Sequence, residues 1–273
     1  LGFGIGNAIS QIPVRKIGNK KTIFYKNMFM SIILIFILFF TKEVNFSLTY
    51  ILIAIGIGIL GYVPIITFYQ SLKIGKVGIV SPIASSSIIF TIFFSVIFFK
   101  ESLTNIQFFC LFLIILGIIV ISINFRDFKK SSLLNMSSGI IFALITAVLW
   151  GLVFFLTKIP VLILGPILTA VITEFMIFLS SSINIKLSKE NFSIKEKGLI
   201  KYLLIIAIFT VAGTLFFNLG INIANVSIVA AIAFSNPLVS TIYGRIVYKE
   251  KLTLSQYIGI IFIIMGIIFI SLL

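Results

Sequence analysis

The sequence has no histidine, one cysteine and only seven acidic residues among its 273 positions. The absence of histidine removes the commonest metal ligand and general base, and the single Cys110 excludes an internal disulfide. An active site needs a nucleophile, a base or metal ligands that converge, and this composition supplies few of them. The sequence therefore predicts a protein that is not an enzyme and that binds no metal or cofactor.

Charged residues of either sign are scarce, whereas apolar residues are abundant. Charged residues make up 10% of the chain, against about 25% in an average soluble domain. Apolar residues make up 60%, against roughly 45–50%. Apolar runs of about 20 residues recur along the chain, and each can cross a hydrocarbon layer of about 30 Å. The runs are continuous and lack the alternation of a membrane barrel. The sequence predicts an all-α, multi-pass integral protein of the cell membrane, in contact with the lipid bilayer.

The apolar runs predict ten transmembrane helices, five in each half of the chain. The predicted spans are 1–14, 27–40, 48–69, 77–99, 106–123, 140–157, 161–183, 202–223, 226–247 and 254–273.

The two halves are predicted to be copies of each other. Residues 100–107 and 249–256 share the pattern Lys-Glu-x-Leu-Thr-x-x-Gln at an offset of 149. We expect a first repeat over 1–124, a link over 125–137 and a second repeat over 138–273. Because each repeat has five helices, the second copy enters the membrane from the opposite side, which makes the repeats inverted. The same offset aligns Trp150 with Leu1, so we expect the first helix to be truncated at its start.

The repeated segments fall where one apolar run ends and the next begins. Thr followed three residues later by Gln is typical of a helix start. We therefore predict that both segments form tight interhelical turns with a structural role. Cys110 aligns with Gly259, which predicts a small packing residue.

A net charge of +14 raises the alternatives of nucleic-acid binding and of membrane topology. The basic residues lie in short links and form no large polar surface, so we expect no nucleic-acid partner. The 21 Lys and Arg residues lie in links after odd-numbered helices, with the exceptions of Lys42, Lys100 and Lys158. By the positive-inside rule these links are cytoplasmic, which places both termini outside.

Polar residues within the apolar spans are the candidates for a binding site. Helices four and nine contain proline and concentrate hydroxyl and amide side chains, and neighbouring helices add more. We predict a central substrate cavity bordered by Asn7, Ser81, Ser85, Ser86, Trp150, Asn218, Ser235 and Asn236. The alternative is that the small residues only allow close helix packing. Glu174 is the single carboxylate well inside a span, and it is a candidate for coupling transport to protons, or a residue near a helix end.

The order and spacing of these features resemble those of a known family. Ten helices in two repeats, Trp150-Gly151 followed by Lys158, proline in helices four and nine, and a glycine-rich last helix are similar to the drug/metabolite transporter superfamily, EamA type. The resemblance covers essentially the whole chain. It implies transport of a small metabolite, often an amino acid and often outward. Glu174 departs from the family, in which many members have a basic residue early in helix seven, and Lys26 is the basic residue in helix two.

The expected function is secondary transport of a small polar metabolite, an amino acid or related compound, by alternating access and in the direction of export. More distant relatives carry nucleotide sugars or sugar phosphates, which is the first alternative. A membrane scaffold or receptor is a second alternative of a different class. The sequence leaves the substrate and the oligomeric state open.

Overall fold

The computed structural model describes residues 1–41, 44–75, 77–122, 139–194, 196, 198–247 and 252–272. Across these residues the chain forms twelve helices and no β-strand. The helices are α1 (Gly2–Ile17), α2 (Asn19–Phe39), α3 (Leu48–Ile74), α4 (Val77–Ser85), α5 (Ser87–Phe98), α6 (Asn105–Ser122), α7 (Ile140–Leu164), α8 (Pro166–Leu187), α9 (Gly198–Ile223), α10 (Val226–Ala233), α11 (Asn236–Val247) and α12 (Leu254–Ser271).

Two of the ten predicted spans are divided into half-helices. The fourth span consists of α4 and α5, and the ninth consists of α10 and α11. At the first break the Ser86 N–H donates to the carbonyl of Ile83 at 3.2 Å, and at the second the Ser235 N–H donates to that of Ile232 at 3.4 Å. Bonds of this i to i−3 type tighten a helix end. Ser86 and Ser235 are equivalent in the repeat, so twelve segments make the ten predicted spans.

The outer surface of the bundle is apolar. Six helices are long and apolar enough to cross a membrane, and shorter apolar helices accompany them. Phe36 and Phe216 are 63% and 74% exposed. A bilayer accommodates such side chains among its acyl chains, whereas water does not.

The helices pack with approximate two-fold symmetry. The pairs α6–α12 and α2–α8 are each formed by equivalent helices, and the α3–α7 contact is matched by α1–α9. A Cβ added at Gly117 would lie 2.7 Å from the carbonyl oxygen of Gly259, and one at Gly266 would lie 2.9 Å from that of Cys110. These two contacts are images of each other, and Cys110 is the buried packing residue that its alignment predicted.

Equivalent residues in the first two helices of each repeat are separated by a smaller offset than those in the later helices. Gly18 separates α1 from α2 with φ 85° and ψ 165°, and Gly165 separates α7 from α8 with φ 83° and ψ 164°. The two glycines are 147 positions apart rather than 149. Trp150 therefore corresponds to Phe3, which corrects its alignment with Leu1.

The second helix starts two turns earlier than the apolar pattern predicts. Its first turns are polar, and the second repeat provides their partners: Lys20 pairs with Glu190 at 2.7 Å, and Tyr25 Oη donates to the Phe192 carbonyl at 2.6 Å. As a consequence Lys26 lies inside the bundle, with only 5% exposure.

The predicted helix starts after the repeated segments are confirmed. Thr253 and Gln256 form a reciprocal capping box at the start of α12. At the start of α6 the Thr104 N–H donates to Gln107 Oε1 at 3.0 Å, and the Gln107 N–H donates to Thr104 Oγ1 at 3.2 Å.

Candidate functional site

A cavity of about 100 Å³ lies between the two repeats. Its walls come from α1, α2 and α3 of the first repeat, and from α7, α8, α9 and the break between α10 and α11 of the second. A water molecule needs about 10–15 Å³ of such space, so the cavity has room for several waters or for a small ligand. Inverted-repeat membrane proteins bind their ligands at this interface, beside broken helices.

Two of the residues that line the cavity carry opposite charges. Lys26 projects from α2, and its Nζ lies 5.9 Å from the centroid of the Tyr69 ring. Glu174 projects from α8. Both residues are buried, at 5% and 8% exposure. A lining that contains one cation and one anion suits a ligand that also carries both charges.

Glu174 is held by neutral donors from two helices. Asn27 Nδ2 on α2 donates to Glu174 Oε2 at 2.6 Å, and Thr214 Oγ1 on α9 donates to Oε1 at 3.3 Å. Asn27 Oδ1 is buried and has no hydrogen-bond partner among the described residues. Since an amide offers both donors and an acceptor, Asn27 can bind either a carboxylate or, after rotation, a protonated acid.

Four of the other predicted site residues line the same cavity: Asn7, Trp150, Asn218 and Asn236. The Trp150 ring lies 4.9 Å from that of Phe68, which fixes its orientation. Asn218 Nδ2 donates to the carbonyl of Pro166 at 3.0 Å.

The four predicted serines lie outside the lining of this cavity. Three of their hydroxyl groups bond to the half-helices instead: Ser85 Oγ donates to the carbonyl of Ser81 at 3.0 Å, Ser86 Oγ to that of Ile83 at 2.6 Å and Ser235 Oγ to that of Ile232 at 2.7 Å. A hydroxyl that bonds to its own helix is less available to a ligand. Substrate contact by Ser81, Ser85, Ser86 and Ser235 stays a prediction.

Several polar residues of the lining were not predicted from the sequence. Lys26 was missed because it directly precedes the predicted second span. Thr210 and Thr214 lie on α9 one turn apart and both line the cavity. Residues four apart share a helix face, so the sequence did contain a signal for this pair.

Aromatic rings form one wall of the cavity. Phe154 is the central ring, with centroids of Phe217 and Phe234 at 5.0 and 4.5 Å. All three side chains line the cavity. The wall therefore contains rings from α7, from α9 and from the α10–α11 break.

The sequence profile of the EamA-like transporter family matches residues 1–123 and 137–272. The chain belongs to the EamA-like transporter family. The two-part match confirms the resemblance, the two-repeat fold and the prediction of an integral, multi-pass membrane protein. The domain boundary stays a prediction, and residues 125–137 lie outside the described part of the chain.

One sequence relative of this EamA-like transporter and one solved structure add to that result. The uncharacterized protein MJ1333.1 of Methanocaldococcus jannaschii is 31% identical over 136 residues, which cover 50% of this chain and 98% of that protein. Its match is thus about as long as one five-helix repeat. A protein of known crystal structure superposes with a TM-score of 0.71 over 99% of this chain and 98% of its own, at 13% identity, which shows a shared fold. Family membership makes the protein a membrane transporter with a small-molecule substrate.

Proposed function

We propose that this protein is a secondary transporter for a small zwitterionic metabolite, an amino acid or a related compound, which it exports by alternating access. The observation that carries the proposal is the presence of both Lys26 and Glu174 in the lining of one buried cavity. A substrate carboxylate would be bound by the Lys26 ammonium, and a substrate ammonium by the Glu174 carboxylate.

Neutral groups would complete the binding of such a substrate. Asn7, Asn218 and Asn236 offer amide donors and acceptors, and Thr214 offers a hydroxyl. An unpaired buried polar group costs about 1–3 kcal/mol, so a compound that lacks one of the substrate's polar groups would bind more weakly. The rings of Trp150 and Phe154 leave an apolar surface for a side chain.

The size of the cavity favours an amino acid over a nucleotide sugar. At about 100 Å³ it is smaller than the roughly 300–1,000 Å³ of pockets for drug-sized ligands. The diphosphate of a nucleotide sugar also carries two negative charges, and the Glu174 carboxylate would repel them. Both arguments support the smaller, internally neutral substrate.

Alternating access is supported by the symmetry of the bundle. The half-helices α10 and α11 meet at the cavity, and α4 and α5 are their images in the first repeat. In inverted-repeat transporters one repeat moves against the other around a fixed site. Export is the direction that the family resemblance favours.

Glu174 is the candidate for coupling to a proton gradient. An ionised carboxylate within a membrane is costly unless a counter-charge or a proton neutralises it. The substrate ammonium and a proton would therefore compete for Glu174, and Asn27 could bind the carboxyl in either state. Such competition would exchange inward-moving protons for outward-moving substrate.

Flux measurements in proteoliposomes test the function. Vesicles that contain purified protein and unlabelled amino acids are expected to accumulate the same labelled amino acid by counterflow, whereas sugars and nucleotide sugars should not accumulate. Counterflow of nucleotide sugars or sugar phosphates alone would favour the alternative carrier. Folded protein with no flux for any compound in the panel would contradict transport and favour a scaffold or receptor.

A further inference from the structure

We propose that Glu101 is a gating residue whose carboxylate ties the half-helix α10 to the first repeat and keeps the cavity closed toward the face of the 99–104 link. The proposal rests on alternating access in the proposed function, but it does not depend on which substrate is carried. It also assigns a role to a repeated segment that the sequence predicted to be only a structural turn.

The Glu101 side chain is almost completely buried, with 3% exposure. It accepts hydrogen bonds from the Val226 N–H at 2.7 Å, from the Ser227 N–H at 3.1 Å and from Ser227 Oγ at 2.7 Å. Val226 is the first residue of α10, so the carboxylate occupies the positive end of that helix and satisfies its free N–H groups. Bonds to an ionised acceptor are the stronger kind.

Lys158 extends the same contact to two further elements of the second repeat. Its Nζ lies 3.4 Å from Glu101 Oε1 and donates to the carbonyl of Ala224, after the end of α9, at 3.3 Å. It also lies 5.8 Å from the centroid of the Phe99 ring. Glu101 belongs to the first repeat, whereas its partners belong to α7 and α10, and Lys158 adds a bond to the connection between α9 and α10. A single carboxylate thus joins the two repeats at one membrane face.

The half-helix α10 connects this contact to the cavity. It has eight residues, which span about 12 Å. Just after its last residue Phe234 packs on Phe154 at 4.5 Å and lines the cavity, as does Asn236 at the start of α11. Movement of α10 away from Glu101 would therefore separate the Phe234 and Phe154 rings and open the aromatic wall.

At the opposite face the ion pairs between the repeats are more exposed to solvent. Lys16 pairs with Glu196 at 2.8 Å, and Lys20 pairs with Glu190 at 2.7 Å. The Lys16 and Glu196 side chains are 51% and 57% exposed, and exposed ion pairs contribute little. The resting protein should therefore be closed at the Glu101 face and should open more readily at the other.

The test measures access to the cavity from each face. Thr157 lines the cavity on α7, so Thr157→Cys in a Cys110→Ala background supplies one thiol for a membrane-impermeant methanethiosulfonate reagent. Labelling is followed in right-side-out and inside-out vesicles. Because loss of the carboxylate charge weakens all of its bonds, Glu101→Gln should raise the labelling rate from the face of the 99–104 link about tenfold. The rate from the other face should fall.

Two further variants keep the result interpretable. Ser227→Ala removes one donor without a change of charge and should shift labelling in the same direction by a smaller factor. Glu196→Gln on the opposite face should not raise the rate from the Glu101 face. Unchanged labelling in a folded Glu101→Gln protein, or in Ser227→Ala if the first variant does not fold, would overturn the gate. If amino-acid flux is absent while the labelling shift occurs, the proposed substrate is wrong and the gate is retained.

Discussion

Asn27 and Glu174 are equivalent residues of the two repeats, and a hydrogen bond of 2.6 Å joins their side chains. Each lies nine positions after the glycine that precedes its helix, Gly18 for α2 and Gly165 for α8. Since α2 packs against α8, the pseudo-two-fold axis passes between these two side chains. Two carboxylates at this place would have to share a proton. The amide in one repeat leaves Glu174 as the acidic member of this pair.

Replacement of Glu174 by Gln tests its role in coupling. The variant should fold, because Asn27 and Thr214 can still hydrogen-bond to an amide, but substrate flux driven by a pH gradient should fall about tenfold or more. The measurement is flux in proteoliposomes with and without an imposed pH gradient. Glu196→Gln, at a side chain that is 57% exposed, is the matched control. A Glu174→Gln protein that still responds fully to the gradient would exclude Glu174 as the proton carrier.

Replacement of Asn236 by Ala tests the lining of the cavity. Loss of an amide that faces a polar substrate should raise KM about tenfold, which is near 1.4 kcal/mol, with little loss of folded protein. Ser86→Ala should have a smaller effect, because the Ser86 hydroxyl bonds to the Ile83 carbonyl. Equal KM values for Asn236→Ala and the unmodified protein would show that the substrate does not contact this amide.

Replacement of Gly259 by Ala tests the packing of α6 against α12. The new Cβ would lie 2.6 Å from Ile121 Cγ1 and 2.8 Å from the Gly117 carbonyl oxygen, so the helices must separate. Overpacking of this kind costs about 1–3 kcal/mol. Unfolding in detergent should show that loss, whereas Gly56→Ala, which meets no atom within 4 Å, should not be destabilised. Equal stability of the two variants would contradict the close α6–α12 contact.

Labelling of an engineered cysteine tests the orientation in the membrane. Ser193 lies in the basic link after α8, and Lys21 Nζ donates to its carbonyl at 3.3 Å, which places the α1–α2 turn and this link on one face. The positive-inside rule makes that face cytoplasmic. Ser193→Cys should react from the cytoplasmic side only, since Cys110 is fully buried. Reaction only from outside would reverse the orientation.

Much of the fold could be predicted from sequence because duplication leaves matched polar residues. The capping pairs Thr104–Gln107 and Thr253–Gln256 are local and easily identified. The change of offset between α1 and α3 has a signal in the sequence that the prediction overlooked, because Ile12-Pro13-Val14 and Ile159-Pro160-Val161 are 147 positions apart, as are Gly18 and Gly165. The breaks at Ser86 and Ser235 also depend on hydrogen bonds that an apolar pattern does not contain.

The candidate site was only partly predictable, for a similar reason. Amides and a carboxylate within an apolar span are conspicuous, and Asn218 and Glu174 do line the cavity. Serine and threonine are not conspicuous, because a hydroxyl can bond to its own helix, as Ser85 does. In the sequence Lys26 directly precedes an apolar run, which is typical of a helix end. In the structure α2 begins before Lys26, because Lys20 and Tyr25 find partners in the second repeat.

The most direct test of zwitterion binding compares three compounds that share one side chain: an amino acid, the amine that lacks its carboxylate and the acid that lacks its amine. The unmodified protein should transport the amino acid best. Lys26→Met should raise the transport rate of the amine about tenfold relative to that of the amino acid, because the amine leaves the Lys26 ammonium unpaired. Glu174→Gln should raise the relative rate of the acid by the same factor, because the acid leaves the Glu174 carboxylate unpaired. If both folded variants rank the three compounds as the unmodified protein does, Lys26 and Glu174 do not bind the two ends of a zwitterion.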